Sequence, residues 1–221
     1  MSRFFVVIPA FNAESTLRPL LQQVSAYLPP DQTIVVDDGS VDATREIAAQ
    51  TNVHVCAHRQ NQGKGAALRT GYTFALAQKC DAVITMDADL QHAPSSIPDF
   101  IAAFETGQFD IVLGNRLKNL TGMPPHRILS NLITSALVRM RTDVAIADSQ
   151  NGFRCIGRRV LERIHTESPG FEAETEFIIR AAQAGFRFGS VPVPTIYTGE
   201  KSSMTHWHTT VNFIHVLLKE Y

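Results

Sequence analysis

The chain has 221 residues, of which 44% are hydrophobic and 19% are charged, and this composition is typical of a soluble globular protein. Its length is enough for one sizeable hydrophobic core, so we expect a single domain that spans residues 1–221. The formal net charge of -1 at pH 7 argues against a general affinity for nucleic acid.

Short apolar runs alternate with segments of helical periodicity through residues 1–115. Strands are predicted over Arg3 to Pro9, Thr33 to Asp37, Val53 to Cys56, Ala82 to Met86 and Ile111 to Gly114. Helices are predicted between them, over Ser15 to Tyr27, Asp42 to Gln50, Lys64 to Leu76 and Ser95 to Thr106. Because strands that alternate with helices form parallel sheets, we expect an α/β fold with a mostly parallel central sheet flanked by helices.

The order of the elements changes after residue 115. The predicted elements there are a helix over His126 to Arg139, a strand over Phe153 to Ile156, helices over Arg158 to His165 and Glu172 to Ala184, and short strands over Arg187 to Val191 and Thr195 to Tyr197. Residues 115–163 carry nine Lys or Arg side chains against three Asp or Glu. This excess of positive charge favours an anionic partner.

The last predicted element is an amphipathic helix over Thr205 to Tyr221, which contains Trp207. Its apolar face either packs on the sheet or lies in a membrane interface. No stretch of the sequence reaches the roughly 18 apolar residues of a membrane span. The N-terminus lacks the pattern of a signal peptide, and the three widely spaced cysteines fit neither a disulfide framework nor a zinc site. We therefore expect a cytoplasmic protein, with the cytoplasmic membrane face as the place of any peripheral association, and the sequence predicts no oligomeric state.

Two carboxylates, Asp87 and Asp89, follow the apolar run Val83 to Met86. Alternation along an extended chain points both side chains the same way at the end of the strand, where open α/β sheets bind ligands. Neighbouring carboxylates repel unless one is protonated or a cation lies between them. Oxygen ligands favour Mg2+ or Mn2+, and the amide of Gln91 is a further ligand or an outer contact. The alternative is a capping turn before the next helix.

Two other loops lie at the same predicted edge of the sheet. Asp37 and Asp38 end the second strand, where they either shape a turn and cap a helix or accept hydrogen bonds from a nucleoside. The glycine-rich loop before Leu68 lacks the spacing of a P-loop and of a dinucleotide-binding loop. It either brings the backbone close to a neighbour at the start of a helix or also places Lys64 near a phosphate.

Six motifs in chain order carry a resemblance to a known family. They are IPAFNAE, VVDDGS, NQGKGAALRTG, MDADLQH, VLGNR and DSQNGFR. In this order and spacing they resemble the family-2 glycosyltransferases of GT-A fold, and most closely the polyprenyl-phosphate sugar synthases typified by dolichyl-phosphate mannose synthase. The resemblance covers essentially the whole chain. It implies a GT-A fold with a nucleotide-sugar-binding half in residues 1–115, an acceptor-side half in residues 116–204 and an amphipathic C-terminal helix in residues 205–221.

The resemblance also implies roles for the matching residues. The residues that would bind the nucleotide sugar are Pro9, Phe11, Glu14, Asp37, Asp38, Lys64, Asp87, Arg116 and Lys201. Those that would hold the metal are Asp87, Asp89 and Gln91. Those that would bind the acceptor phosphate are Arg127, Asn131 and Ser202. Those that would serve catalysis are Asp89, Asp148 and Arg116. The sequence departs from the family pattern at Phe11, where Tyr is frequent, and at Ala13, which separates Asn12 from Glu14.

The reaction that the resemblance implies is an inverting transfer of a hexose, mannose or glucose, from a GDP- or UDP-sugar to a polyprenyl phosphate. A phosphate monoester has a second pKa of about 6, so a lipid phosphate is largely ionised at neutral pH and needs no base. The alternative acceptor is a hydroxyl of a soluble saccharide or small molecule, which requires a general base. The candidates for that base are Asp148, Glu172, Glu174 and Glu176. A further alternative is a nucleotide-sugar-binding module without turnover.

Overall fold

The computed structural model of the chain describes residues 2–118, 123–194, 196 and 206–221, with the backbone alone for residues 126 and 206–211. Within these residues the chain forms a seven-stranded sheet with helices packed on it. The α/β fold with a mostly parallel central sheet, which the sequence predicts, is confirmed.

The strands of the sheet are β1 Phe4–Ala10, β2 Thr33–Asp37, β3 His54–Ala57, β4 Ala82–Thr85, β5 Ile111–Asn115, β6 Arg154–Gly157 and β7 Phe188–Pro192. Their order across the sheet is β3-β2-β1-β4-β6-β5-β7. Neighbouring strands are parallel except β6, which runs antiparallel to β4 and β5. The carboxyl ends of β1, β2, β4 and β5 and the amino end of β6 therefore meet at one edge of the sheet.

The helices are α1 Leu17–Val24, α2 Thr44–Ala49, α3 Lys64–Ala77, α4 Ile97–Glu105, α5 Pro125–Thr142, α6 Arg158–Arg163, α7 Ala173–Gln183 and α8 His206–Leu218. Each described element lies within three residues of its predicted bounds at either end. The strand predicted over Thr195 to Tyr197 lies outside the described residues, apart from residue 196.

Side chains of β1 alternate between two hydrophobic cores, one on each face of the sheet. Val6 packs in one core with Leu20 of α1 and Phe100 of α4. Val7 packs in the other core, which includes Ile178 of α7. Each of these side chains is fully or almost fully buried, and burial of one such side chain contributes about 1.5–3 kcal/mol. The two cores hold the sheet between its helical layers and so keep the strand ends at the loop-bearing edge in place.

Helix α8 packs against α5 and α7. Val216 is buried in the core, and Phe213 and Leu217 pack partly against it. Ile214 and Leu218 remain exposed. One side of the amphipathic segment therefore packs on the protein, where its main neighbours are α5 and α7 rather than the sheet that one interpretation expects, and its other side is open. In the described part of the chain, no helix combines the length and apolar character that crossing a membrane requires.

Candidate active site

A pocket of about 680 Å³ lies at the edge where the strand ends meet. The residues assigned from the sequence that border it are Pro9, Phe11, Asp38, Lys64, Asp87, Asp89, Gln91, Arg116 and Arg127. The assigned residues that lie outside its lining are Glu14, Asp37, Asn131 and Asp148. Lys201 and Ser202 fall outside the described residues.

Asp87 and Asp89 occupy the turn after β4. The N–H of Asp87 donates a hydrogen bond to Nδ1 of His92 at 3.1 Å, and the N–H of Gln91 donates to Oδ1 of Asp89 at 3.0 Å. Burial and the neighbouring carboxylate of Asp87 raise the pKa of Asp89. Burial also acts to raise the pKa of Asp87, but the Lys64 ammonium, His92 and Arg154 together outweigh it and lower that pKa to about 2. The two adjacent carboxylates therefore differ in character, and the more acidic one is paired with a cation of the protein.

These side chains suit a divalent metal ion whose remaining ligands come from the substrate. Asp87, Asp89 and Gln91 bring oxygen atoms of the kind that Mg2+ and Mn2+ prefer to the same pocket. Across the described ranges, no group of three or more His, Cys, Asp or Glu side chains is arranged to hold a metal ion by itself. Mg2+ is usually bound by one or two carboxylates together with substrate phosphates. The residues present are those of such a shared site.

The side chain of Lys64, the first residue of α3, joins two carboxylates. Its Nζ lies 2.6 Å from Oδ1 of Asp87 and 2.8 Å from Oε2 of Glu174. Burial acts to lower the pKa of Lys64, but the two carboxylates raise it by more, and the net pKa is raised. Lys64 therefore carries its charge at neutral pH. The sequence places Lys64 near the site but does not reveal Glu174 as its partner, because the two residues lie far apart in the chain.

The glycine-rich loop before α3 lies directly against protein backbone. The N–H of Gly65 donates to the carbonyl oxygen of Pro169 at 2.7 Å. A Cβ on Gly65 would lie 2.5 Å from the Cβ of Ala173, and a Cβ on Gly63 would lie 2.5 Å from the same Pro169 oxygen. Gly63 also has a φ of +93°, which favours glycine. The predicted close approach at a helix start is confirmed, and the neighbour is the loop of residues 168–170.

Asp37 and Asp38 are both buried at the end of β2. Oδ1 of Asp37 accepts a hydrogen bond from the N–H of Ser40 at 3.1 Å, which shapes the turn that the alternative interpretation expects. Oδ2 of Asp38 accepts from the N–H of Gly63 at 2.8 Å, and its Oδ1 lies 2.6 Å from Nδ1 of His58. Asp38 therefore anchors the glycine-rich loop and also borders the pocket.

Arg116 follows β5, and its guanidinium is held by Asp148. Nε of Arg116 donates to Oδ2 of Asp148 at 2.8 Å, and Nη2 donates to Oδ1 at 3.0 Å. Asp148 has no exposed surface, and its Oδ1 also accepts from the N–H of Gln150 at 3.2 Å. Both carboxylate oxygens are thus engaged. In this geometry Asp148 orients Arg116, and the role of Asp148 in catalysis stays a prediction.

Glu14 and Asn131 are not part of the pocket lining. Oε2 of Glu14 accepts a hydrogen bond from the N–H of Ala43 at 3.1 Å, immediately before α2, so the side chain is engaged at the start of that helix. Asn131 lies one turn after Arg127 on α5, and only Arg127 reaches the pocket lining. Their assigned contacts with base and acceptor phosphate stay predictions.

Several residues that border the pocket have no binding role among those expected from the sequence, and Arg154, Phe171 and Glu174 are among them. Arg154 is buried, and its guanidinium donates to the carbonyl oxygens of Asn151 at 2.7 Å and Ser149 at 3.0 Å. The signal for Arg154 was present in the sequence, since it closes the motif DSQNGFR and is a charged residue at the start of an apolar strand. Phe171 carries no comparable local signal, and the sequence points to Glu174 only as a candidate base and not as a partner of Lys64.

Known proteins resemble this chain in sequence over most of its length. The family model described as Glycosyl transferase family 2 matches residues 5–165. A UDP-N-acetylglucosamine–dolichyl-phosphate N-acetylglucosaminyltransferase of Methanococcus voltae is 30% identical over 216 residues, which cover 88% of this chain and 86% of that protein. A polyprenol monophosphomannose synthase of Mycolicibacterium smegmatis is 29% identical over 203 residues, which cover 86% of this chain and 76% of that protein.

A solved structure resembles the fold. The glucosyl-3-phosphoglycerate synthase from Mycobacterium tuberculosis, in complex with Mn2+, UDP and phosphoglyceric acid, matches with a TM-score of 0.78 at 20% sequence identity. The match covers 98% of this chain and 78% of that chain. It confirms the GT-A fold that the six motifs imply.

Proposed function

We propose, because the chain belongs to glycosyl transferase family 2, that it transfers a hexose, mannose or glucose, from a GDP- or UDP-sugar to a polyprenyl phosphate with inversion at the sugar. The observation that carries the proposal is one pocket bordered by two carboxylates, Asp87 and Asp89, and two guanidinium groups, Arg116 and Arg127. Such a pocket suits a metal-bound diphosphate together with a second phosphate that arginine binds.

The donor side of the pocket combines an aromatic face with fixed charge. Phe11 is 48% exposed at the pocket and offers an apolar face to the nucleotide base. Asp87 and Asp89 are the residues that would hold Mg2+ or Mn2+, and a metal bound there would neutralise charge on the departing diphosphate. Arg116, which Asp148 holds in place, adds a preorganised positive charge for the same purpose.

A phosphate acceptor agrees with the state of the acidic side chains. Of the four candidate bases, Asp148 already uses both oxygens on Arg116, and Glu174 is paired with Lys64. Glu176 accepts hydrogen bonds from the loop before α7 and from Arg180, and Glu172 accepts one from the N–H of Gly170 at 3.2 Å. A hydroxyl acceptor requires a general base, whereas an ionised phosphate requires only positioning. Arg127 borders the pocket and is the residue that would position it.

The acceptor's lipid chain has an apolar surface available on α5, the helix that carries Arg127. Exposed apolar side chains follow along the same helix, α5, at Leu129, Leu132, Ile133 and Met140. The Methanococcus voltae and Mycolicibacterium smegmatis relatives have dolichyl phosphate and polyprenol in their names. We infer that the protein works at the cytoplasmic face of a membrane, with this side of α5 toward the lipid.

The experiment that tests the proposal supplies sugar-labelled GDP-mannose, GDP-glucose, UDP-glucose or UDP-mannose with Mn2+ and a polyprenyl phosphate in detergent micelles. We expect label in the organic extract with one of these donors, and none when the unphosphorylated polyprenol replaces the phosphate. Asp89→Asn is expected to lower the rate at least about hundredfold, which corresponds to about 2.7 kcal/mol of barrier. The matched control Asp99→Asn changes an exposed aspartate on α4 and keeps the rate.

Two outcomes would overturn the proposal. Label that appears only in a water-soluble saccharide identifies the hydroxyl acceptor of the alternative reaction. Tight binding of a nucleotide sugar without transfer to any acceptor, and without Mn2+-dependent donor hydrolysis, identifies a binding module.

A further inference from the structure

The ion pair of Lys64 occupies an oxygen that a metal would use. Nζ of Lys64 lies 2.6 Å from Oδ1 of Asp87, one of the two carboxylates of the metal-binding turn. The Lys64 side chain is only 12% exposed, and the ring of Phe171 lies 5.4 Å from its ammonium. The Asp87 side chain is 28% exposed, so the contact is partly shielded from water and is stronger than a surface ion pair of the same length.

The second oxygen of Asp87 has limited room. A Cβ added to Gly152 would lie 3.0 Å from Oδ2 of Asp87 and 3.1 Å from Nζ of Lys64, so the chain at Gly152 closes one side of the ion pair. The ammonium and a divalent metal would therefore meet on the same carboxylate at close range. Two cations there repel each other unless further negative charge is brought in.

Glu174 ties Lys64 to this position from the other side. Its Oε2 lies 2.8 Å from Nζ, and its side chain is also only 12% exposed. A single ammonium thus lies between two carboxylates contributed by different elements, the turn after β4 and the first turn of α7. Glu174 keeps Lys64 in the pocket when Asp87 is engaged elsewhere.

We propose that Lys64 is the resident counter-ion of Asp87 in the nucleotide-free protein, and that it competes with the divalent metal for this carboxylate until a nucleoside diphosphate binds. This inference rests on the metal-binding part of the proposed function. The diphosphate carries the negative charge that both cations need, so metal and nucleotide bind with positive coupling, and each tightens the other by the same factor. Because of Lys64, the protein then binds the metal weakly in the absence of nucleotide and tightly in its presence.

A purely structural role for Lys64 makes a different prediction. In that case the ion pairs with Asp87 and Glu174 only join the start of α3 to its neighbours. Loss of the ammonium would then lower the stability of the fold and leave the affinity for metal unchanged or weaker. The two roles are separated by the direction in which metal affinity moves.

The test is a calorimetric titration of Mn2+ alone into the wild-type protein, Lys64→Met and Lys64→Gln, without nucleotide. We expect both variants to bind Mn2+ at least about tenfold more tightly than the wild type, because one competing positive charge is gone. Lys64→Gln keeps a hydrogen-bond donor toward Asp87 and so separates the loss of charge from the loss of the contact. The matched control Lys79→Met removes an exposed charge beyond the far end of α3 and keeps the wild-type affinity.

The titration is then repeated with saturating UDP and with saturating GDP. We expect one of these nucleotides to tighten Mn2+ binding to the wild type at least about tenfold, and the factor to shrink in the Lys64 variants. Unchanged or weaker Mn2+ binding by folded Lys64 variants overturns the inference. If neither variant folds, the wild type decides, since equal Mn2+ affinity with and without both nucleotides overturns it.

These measurements need neither a sugar nor an acceptor. Tighter Mn2+ binding by the variants together with no transfer to polyprenyl phosphate rejects the proposed acceptor and retains the role of Lys64. Transfer to polyprenyl phosphate together with unchanged Mn2+ affinity rejects the role of Lys64 and retains the acceptor.

Discussion

Asp148 lies in the protein interior with no exposed surface, and its carboxylate clamps the guanidinium of Arg116 through two hydrogen bonds. We expect Asp148→Asn to lower the rate of sugar transfer by about ten- to hundredfold, because the neutral amide no longer orients the guanidinium for the departing diphosphate. Arg116→Lys is expected to cost a similar factor, since an ammonium cannot make the paired contact. The double variant should be no slower than the slower single variant, because both changes remove the same interaction.

The measurement is a set of steady-state rates across pH for the wild type, the two single variants and the double variant, each checked for folding by urea unfolding. If Asp148 were instead the general base, Asp148→Asn would remove the only carboxylate that takes the proton from the acceptor, whereas Arg116→Lys would keep it. The acidic limb of the pH profile would then be lost in this variant and retained in Arg116→Lys. Independent, additive losses in the double variant would also contradict a shared role.

At the residue scale, the sequence is enough to predict which charged side chains lie near the pocket. It does not predict which partners they contact. Asp38 was recognised as a pocket residue, but its oxygens are shared with the backbone of Gly63 and with His58. Lys64 was recognised too, and its second partner Glu174 was not. These partners come from distant parts of the chain, and spacing rules act only over neighbouring residues of one helix or strand. Which oxygens of a carboxylate are still open to a ligand can therefore be seen only in the folded protein.

At the element scale, the loop before α7 is held by one buried carboxylate. The oxygens of Glu176 accept hydrogen bonds from the N–H groups of Glu167 at 3.0 Å and Ser168 at 2.9 Å, and from Nε of Arg180 at 2.8 Å. Burial acts to raise the pKa of Glu176, but these hydrogen bonds and the guanidinium outweigh it, and the pKa is lowered. A depressed pKa means that the ionised form stabilises the fold.

We expect Glu176→Gln to lower the free energy of unfolding at pH 7 by about 1–3 kcal/mol. The stabilisation by Glu176 is fully present above its unfolded pKa of about 4.3 and is lost as pH falls through the lower folded pKa. The difference between wild type and variant should therefore shrink as the pH falls below about 4.3 and through the lower folded pKa. Urea unfolding at several pH values measures it, with Glu162→Gln as the control, whose exposed pair with Arg158 contributes little. A difference that does not shrink at any pH below about 4.3 at which the wild type is still folded would contradict this account.

Element bounds were predictable where turn residues mark them. The run Thr33 to Asp37 matches β2 at both ends, because Pro30 precedes it and Gly39 follows it. Helix α5 extends past its predicted end at Arg139 and stops before Asp143, which has a left-handed φ of +54°. That conformation is uncommon for residues other than glycine, so the sequence gives little sign of the helix end. The antiparallel placement of β6 between β4 and β5 is likewise a matter of long-range pairing.

At the scale of the whole molecule, the C-terminus is tied to the loop that contacts the glycine-rich segment. Nζ of Lys219 lies 2.7 Å from Oε2 of Glu167, and the guanidinium of Arg180 lies 4.5 Å from the ring centre of Tyr221. That loop continues to Pro169, whose carbonyl oxygen accepts from the first turn of α3. The segment that follows α8 thus contacts the loop of residues 167–169, and that loop contacts the first turn of α3 at the pocket. The inward side of α8 is part of the fold.

The outward side of the same helical layer is apolar and open, and we expect it to meet the lipid surface. Leu132 and Ile133 on α5 are 46% and 51% exposed, whereas Val216 on α8 is 3% exposed. The double variant Leu132→Ser with Ile133→Ser should weaken binding to vesicles of phosphatidylcholine and phosphatidylglycerol about tenfold, because burial of such side chains contributes about 1.5–3 kcal/mol each when complete. Its free energy of unfolding should stay within about 0.5 kcal/mol of the wild type, as is usual for surface substitutions.

The control substitutes a buried residue of α8, for which we expect a loss of stability without a loss of vesicle binding. Val216→Ala should lower the free energy of unfolding by about 0.5–3 kcal/mol and leave vesicle binding unchanged, because it removes buried contacts and no exposed surface. Co-sedimentation with the vesicles and urea unfolding measure the two quantities on the same proteins. Vesicle binding by the Leu132 and Ile133 double variant that equals the wild type would show that this side of α5 does not meet the lipid. The acceptor would then have to approach Arg127 from another direction.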